Sequence, residues 1–163
     1  MDKLHILVFA VTLIIPYSGA AQCRAGWYGF LDSCYYLSHG LATWVEANDV
    51  CKMLGGFLAR IESADELTYL KSELGHIHRH DADQQLYWIA GNDFEVDNVW
   101  RWMNNGEKVS FLDWAPGEPN AAEDANCLDL WGAHEFRYAD NNCEEHHNYV
   151  CQIKDTEGNQ LIG

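Results

Sequence analysis

The sequence predicts a mixed α+β domain in which two helices come early and short strands, turns and loops follow. Two helix-start signals lie in the first 66 residues, and each precedes an amphipathic stretch. From Leu86 onward, short apolar segments alternate with turns rich in Gly, Asn and Asp, a pattern typical of strands. All six cysteines lie beyond residue 22, and they are enough for three disulfides.

The N-terminal segment has the layout of a secretory signal peptide. A mostly apolar run, Ile6–Pro16, follows Lys3, and the small residues Gly19-Ala20-Ala21 precede Gln22. The alternative, a membrane anchor, is disfavoured because the run is well short of the roughly 20 residues that span a bilayer. We therefore predict a signal peptide over residues 1–21, a secreted extracellular domain over residues 22–154 and a polar tail over residues 155–163.

Charge and cysteine spacing argue against several kinds of partner and site. The formal net charge of -15 disfavours a nucleic-acid-binding surface and favours cations as partners. An acidic surface that serves solubility alone is the alternative. No Cys-x-x-Cys pair occurs, which disfavours a zinc site of the usual spacing and favours disulfides in a secreted domain. No later segment reaches transmembrane length, so we expect no membrane insertion.

The first helix begins at a capping box. In Thr43-Trp44-Val45-Glu46, the threonine side chain caps the amide of Glu46, and the glutamate side chain reaches back to the Thr43 amide. Apolar residues then recur every three or four positions and form one stripe: Trp44, Ala47, Val50, Cys51 and Leu54. Gly55-Gly56 is expected to end the helix.

A second box, Ser63-Ala64-Asp65-Glu66, begins a second helix that is predicted to run to about Leu74. Leu67 and Leu70 share its apolar face with Leu74, and Gly75 provides the stop signal.

Alternating histidines link this helix to the strands. Neutral imidazoles at His76, His78 and His80 could chelate zinc or copper. A His-rich tract is only a compositional signal, so we favour an exposed loop with solvated histidines.

The predicted strands are short and lie on both sides of the helices. Two aromatic strands around Trp27–Tyr36 form an N-terminal hairpin. The others are Phe57–Ile61, Leu86–Gly91, Val99–Trp102, Cys127–Trp131, Phe136–Asp140 and Tyr149–Ile153.

The stretch Pro116-Gly117-Glu118-Pro119-Asn120 carries the clearest chemical signal. With a cis bond before Pro119, the Glu118 carboxylate and the Asn120 carboxamide can aim oxygens at one point. Asp140, just ahead of Cys143, is a third candidate. Converging oxygens suit a hard cation such as calcium, which takes six to eight oxygen ligands.

Joint features along the chain resemble a C-type lectin domain of the long form, of the secreted single-domain type. They are the Cys-x-x-Gly-Trp start at Cys23, the capped helix carrying Cys51, Trp88-Ile89-Ala90-Gly91, Trp100-Arg101-Trp102 and the Glu-Pro-Asn loop. The resemblance covers Cys23 to Ile153 and implies the C-type lectin-like fold: two helices, two small antiparallel sheets and a long loop region between about Asp93 and Asp124. It also implies the disulfide pairs Cys23-Cys34, Cys51-Cys151 and Cys127-Cys143.

The resemblance implies a principal calcium site built from Glu118, Asn120 and Asp140. Two expected ligands are missing, because Ala139 stands where the family has an asparagine and Ala125 stands where it has an acid two residues before Cys127. Glu123 and Asp124 lie close by in sequence, and a small loop shift would let either fill the gap.

A second calcium site of the family would use Asp93 and Asp97. Its loop-side positions are Ala121, Ala125 and Asn126, so we expect it to be weaker than the first.

The function implied by this resemblance is calcium-dependent binding of glycans or glycoconjugates, with the Glu-Pro-Asn order implying mannose-type sugars. Trp131 could add an apolar wall for the sugar, or it could be an ordinary packed tryptophan. The alternative is a calcium-independent interaction or structural protein that binds a protein, mineral or particle surface, which Ala125 and Ala139 favour. No nucleophile motif or zinc-protease helix occurs, so we do not predict an enzyme, and self-association stays open.

Overall fold

The computed structural model describes residues 21–120, 122 and 124–154. The predicted signal peptide, apart from Ala21, and the predicted tail lie outside these residues, as do Ala121 and Glu123. None of the helices in the described part combines the length and the apolar composition needed to cross a membrane.

The described residues form eight strands and two α-helices, and both helices precede the fourth strand. In chain order they are β1 (Tyr28–Phe30), β2 (Ser33–Leu37), α1 (Trp44–Met53), β3 (Phe57–Leu58), α2 (Ala64–Ile77), β4 (Leu86–Asn92), β5 (Arg101–Trp102), β6 (Cys127–Trp131), β7 (Arg137–Asn141) and β8 (Asn148–Lys154). The α+β class and the C-type lectin-like arrangement predicted from the sequence are confirmed.

Helix α1 begins at the predicted capping box. The Thr43 amide donates to Glu46 Oε2 over 3.0 Å, and the Glu46 amide donates to Thr43 Oγ1 over 3.4 Å. Trp44, Ala47 and Cys51 are buried along the predicted stripe. The helix therefore packs on the sheet through the face that the sequence indicates.

Helix α2 passes the expected stop at Gly75 and ends at Ile77. The space around the Gly75 α-carbon is open, and the His78 amide still donates to the Leu74 carbonyl over 2.8 Å. Ile77 is partly buried against the core. Packing of this last turn outweighs the weak helix propensity of glycine, which costs only about 1 kcal/mol relative to alanine.

The expectation that His76, His78 and His80 are all solvated was wrong for His78. His76 and His80 are exposed, whereas the His78 ring contacts Tyr87 and Phe136. Its Nε2 lies 2.7 Å from the Tyr87 hydroxyl, and its Nδ1 lies 3.1 Å from Asp81 Oδ1. Both ring nitrogens therefore have protein partners, a result of packing against β4 that composition does not show.

The strands form one mixed sheet in the order β1-β2-β8-β4-β6-β7, with β3 beside β8 and β5 beside β4. All pairings are antiparallel except that of β4 with β8, where Tyr87 pairs with Asn148 and Trp88 with Tyr149. This parallel contact joins the two predicted antiparallel sheets. Sequence patterns do not show it, because the two strands lie about 60 residues apart.

The core lies between the two helices and the sheet. Its largest fully buried side chains include Trp44, Trp88 and Tyr138. A buried polar network crosses it, in which the Tyr35 hydroxyl donates to Glu66 Oε1 and Gln152 Nε2 contacts both groups. Among the described residues, the long segment between Trp102 and Cys127 forms only isolated β-bridges. A loop of this length in a compact domain usually carries function.

Three disulfides connect the elements: Cys23–Cys34, Cys51–Cys151 and Cys127–Cys143. No described cysteine is free. These are the pairs that the resemblance implies. The first closes a hairpin, the second joins α1 to β8 over a separation of 100 residues, and the third joins β6 to the segment after β7.

We expect removal of the Cys51–Cys151 disulfide to reduce stability more than removal of the Cys23–Cys34 disulfide. In the chain-entropy description, closing the longer loop contributes about 4.7 kcal/mol and closing the shorter one about 2.8 kcal/mol. Chemical unfolding of the two paired Cys→Ala variants measures the difference. An equal loss from both variants would contradict the expected order.

Candidate functional site

The loop that carries the Glu-Pro-Asn sequence is attached to strand β7 at its start. The Tyr138 amide donates to the Asp113 carbonyl over 2.9 Å, and the Ala115 amide donates to the Tyr138 carbonyl over 2.8 Å. Trp114 packs edge-on against Tyr138 and Trp100, with ring centroids 6.3 and 5.4 Å apart. The buried Tyr138 therefore holds the loop through both its backbone and its ring.

The chain reverses direction before the candidate ligands. Gly117 has a φ of 91°, in the region that glycine tolerates best, and the Glu118 amide donates to the Ala115 carbonyl over 3.0 Å. The Glu118-Pro119 peptide bond is cis. After this turn, Glu118 is half-buried and Asn120 is exposed.

Glu118, Asn120 and Asp140 lie together. The Asn120 amide lies 2.8 Å from Asp140 Oδ1 and 3.1 Å from Glu118 Oε2. The Asn120 side-chain nitrogen donates to the same Glu118 oxygen over 3.1 Å, and its side-chain oxygen accepts from the Ala122 amide over 3.0 Å. A carboxylate acceptor and a carboxamide donor therefore stand side by side at the exposed end of the loop.

The electrostatics of this group are unfavourable for two ionised acids. Partial burial, followed by the adjoining Asp140 carboxyl, raises the pKa of Glu118 to about 7. Asp140 is only 2% exposed, so little water is available to screen the repulsion. A cation placed against these oxygens would relieve that repulsion.

An acidic cavity lies next to the group and shares Asp140 with it. The cavity has a volume of about 120 Å³, and its polar lining comprises Asp93, Asp97, Asn98, Asn126 and Asp140. The Asp93 amide donates to the Asn126 carbonyl over 3.2 Å, which fixes the turn after β4 against the segment before β6. The two acids predicted for a second site therefore face the same cavity as Asp140.

Asp93 supplies a buried oxygen without a partner. It is 7% exposed, and its Oδ2 accepts from the Asn98 amide over 2.8 Å, whereas its Oδ1 has no hydrogen-bond partner among the described residues. Burial raises the pKa of Asp93, and Asp97 and Asp140 raise it further. The site thus contains hard oxygen donors, one of them unsatisfied, and these residues fit calcium.

Oxygens other than carboxylates are needed to complete such a site. In the described part of the chain, no three His, Cys, Asp or Glu side chains are grouped so that they alone could hold a metal. Asn98, Asn120 and Asn126 add carboxamide oxygens in the same region. Sequence reasoning did not select Asn98 as a site residue, although its place at the end of an acidic turn after β4 was a usable signal.

The two alanines differ in position. Ala125 is 8% exposed and lines the acidic cavity, where it contributes no oxygen. Ala139 pairs directly with Asp129 across β6 and β7 and is 2% exposed. Paired residues point to the same face of a sheet, so Ala139 faces Asp129 while the neighbouring Asp140 points to the opposite face.

Two other predicted residues, Asp124 and Trp131, lie apart from this group, and a third, Glu123, is outside the described residues. Asp124 is exposed and makes no side-chain hydrogen bond to Glu118, Asn120 or Asp140. Trp131 pairs with Arg137 and packs against His134, with ring centroids 4.2 Å apart. Leu128, which pairs with Asp140, is three positions away from Trp131 along β6. At the usual rise per residue, Trp131 is therefore displaced by roughly 10 Å along the strand from the position opposite Asp140.

Comparisons with known proteins agree with this architecture. Residues 41–153 match the family described as Lectin C-type domain. A perlucin-like protein from Mytilus galloprovincialis is 29% identical over 160 residues, which cover 93% of this chain and all of that protein.

Two solved structures with a similar fold differ in what their names describe. The carbohydrate-recognition domain of cow CD23, determined in the presence of a GlcNAc2Man3 oligosaccharide, has a TM-score of 0.70 and 27% identity, and covers 84% of this chain and 99% of its own. A calcium-independent type II antifreeze protein has a TM-score of 0.69 and 29% identity, and the match covers 83% of this chain and 97% of the antifreeze protein. With its fold, its disulfides and the family match over residues 41–153, the chain belongs to the C-type lectin domain family.

Proposed function

We propose that this chain is a secreted protein that binds carbohydrate through calcium, with a preference for mannose-type sugars. The observation that carries the proposal is the pairing of Glu118 and Asn120 beside Asp140, with the Asn120 side-chain nitrogen 3.1 Å from Glu118 Oε2. A neighbouring acceptor and donor match two adjacent sugar hydroxyls, because each hydroxyl both donates and accepts.

Calcium would draw on the hard oxygens of this region. Glu118, Asn120 and Asp140 are the proposed ligands of the principal site, and Asp93 and Asp97 are those of a second site. Bound calcium would neutralise the clustered carboxylates and offer open coordination positions to hydroxyl oxygens. Because Ala125 and Ala139 bring no oxygen, we expect weaker calcium binding than a complete ligand set would give.

The family and the disulfides support the wider assignment. C-type lectin domains are generally binding proteins and not enzymes. Three disulfides suit an oxidising, extracellular compartment, in keeping with the proposed signal peptide over residues 1–21 and domain over residues 22–154. The oligosaccharide in the cow CD23 structure supports a glycan ligand for this chain.

A second candidate function is calcium-independent binding of a protein, mineral or particle surface. The two alanines at expected ligand positions favour it, as does the likeness to a calcium-independent antifreeze protein. Fold alone does not distinguish the two, because one fold hosts many functions. Binding that persists in a chelator would support this alternative.

Replacing Glu118 with glutamine should abolish binding of calcium and of mannose. The introduced carboxamide keeps an oxygen that can accept from Asn120 but loses the charge that attracts the cation. Calorimetric calcium titration and retention on immobilised mannose, with galactose as the comparison sugar, measure both effects. The matched control is Glu144→Gln, which removes one charge from a glutamate outside the site. Unchanged calcium binding in Glu118→Gln would refute the assigned role of Glu118.

The stability of the calcium-free protein should rise as the pH falls through about 7. The folded-state pKa of Glu118, about 7, lies above the ordinary value of 4.5, so the folded state binds this proton more tightly than the unfolded chain does. The gain should be complete near the ordinary pKa and absent in Glu118→Gln. Thermal unfolding of both proteins in chelator between pH 8 and pH 5 tests this, and identical pH profiles would contradict it.

Adding an acid at Ala125 should strengthen calcium binding about tenfold, because ligand charge tunes the affinity of calcium sites. Ala125 lines the cavity with Asp93 and Asp140, so Ala125→Glu adds a carboxylate to the two that are proposed to bind calcium. The same change should destabilise the calcium-free protein through repulsion. Ala133→Glu, at an exposed alanine, is the control for added charge alone. Equal affinities of the two variants would show that the cavity is not a calcium site.

A further inference from the structure

A polar cluster around the buried Asp129 lies on the face of the sheet opposite to Asp140 and is separate from the ligands proposed above. It consists of Asp129 on β6, the half-buried Asn141 at the end of β7, and the exposed Glu145 and buried His147 in the segment before β8. Asp129 is fully buried and His147 is 7% exposed.

His147 lies between two carboxylates. Its Nδ1 is 3.2 Å from Asp129 Oδ2, and its Nε2 is 3.1 Å from Glu145 Oε2. The ring stacks on Trp88 with centroids 4.2 Å apart and planes 21° apart, and Trp88 itself pairs with Asp129 across β4 and β6. The Nε2 contact with Glu145 has the geometry of a hydrogen bond, whereas Nδ1 lies close to Asp129 Oδ2 but has no hydrogen-bond partner among the described residues.

The same Asp129 oxygen also holds the strand that carries Asp140. Asn141 Nδ2 donates to Asp129 Oδ2 over 2.7 Å, and Asn141 directly follows Asp140. Two residues further on, Cys143 is joined to Cys127 at the start of β6. One buried carboxylate therefore links the end of β7 to the segment that leads into β8.

A buried acid at position 129 is energetically unfavourable. Desolvation of a buried acid is costly, and burial raises the pKa of Asp129 despite contacts with His147 and Asn141 that lower it. The contacts of Asp129 therefore suggest a role beyond packing.

We propose that Asp129 and His147 are positioning residues that act through Asn141 to hold Asp140 in place for the cation. This inference rests on the proposed calcium site for its functional consequence, but its structural part does not require calcium. Replacing Asp129 should loosen the end of β7 first, and calcium affinity should fall because Asp140 is no longer held. Residues that orient metal ligands typically affect affinity by about 10- to 100-fold.

The test uses the full chain with Asp129→Asn and His147→Gln, and Glu66→Gln as the matched control. Glu66 is also a buried, hydrogen-bonded acid, at 7% exposure, but its partners are Tyr35, Gln152 and the Glu62 amide, none of which belongs to the proposed site. Comparing variants at a temperature where all are folded separates positioning from general stability.

The first measurement is amide hydrogen exchange in chelator. We expect Asp129→Asn and His147→Gln to accelerate exchange in residues 138–142 selectively, and Glu66→Gln to leave those residues unchanged relative to the rest of the chain. Uniform acceleration in all three variants would overturn the proposal. Because no calcium is present, this result stands even if the proposed function fails.

The second measurement is calcium affinity by calorimetric titration. We expect Asp129→Asn to weaken calcium binding at least about tenfold, and Glu66→Gln to change it less than about twofold. Equal calcium affinities of Asp129→Asn and Glu66→Gln would overturn the positioning role. A parent chain that binds no calcium would instead count against the proposed function.

Discussion

The candidate site depends on hydrogen bonding between a loop without regular structure and strand β7. The loop meets β7 at Tyr138, through two backbone hydrogen bonds, and again at Asp140, which accepts from the Asn120 amide over 2.8 Å. Between these points the loop has only a turn at Gly117. Because Tyr138 is fully buried, the position of the loop is determined by the core. A surface loop can in this way be as well placed as a strand.

Electrostatic repulsion is the second constraint on the site. Glu118 and Asp140 adjoin one another, and Asp93 and Asp97 face the neighbouring cavity with Asp140. In the absence of a cation such a grouping opposes folding, since burial and neighbouring carboxyls raise the pKa of Glu118 and of Asp93. The rest of the domain must therefore supply the stability, and the core, the disulfides and the mixed sheet do so. Sites that concentrate charge in this manner are commonly functional, because structure alone gives no reason for them.

Membership of the C-type lectin domain family narrows the function without deciding it. The cow CD23 domain was determined with an oligosaccharide, whereas an antifreeze protein of similar fold is calcium-independent, and the two have nearly equal TM-scores against this chain. In this chain the oxygen donors Glu118, Asn120 and Asp140 are present, but Ala125 contributes no side-chain oxygen to the cavity wall. The proposed calcium-dependent function therefore depends on whether these oxygen donors hold the cation.

Local patterns in the sequence determined the two helix starts, because a capping box and an apolar stripe involve residues only three or four positions apart. They also indicated the Glu-Pro-Asn loop and the acidic turn at Asp93, where the chemistry lies in adjacent residues. Tertiary structure alone decided the parallel pairing of β4 with β8, the extension of α2 past Gly75 and the burial of His78 against Tyr87. It also decided that Asp93 and Asp140 share one cavity and that Asp129 meets His147. Each of these joins segments distant in the chain or depends on burial, and a local pattern carries no information about which distant surface will cover it.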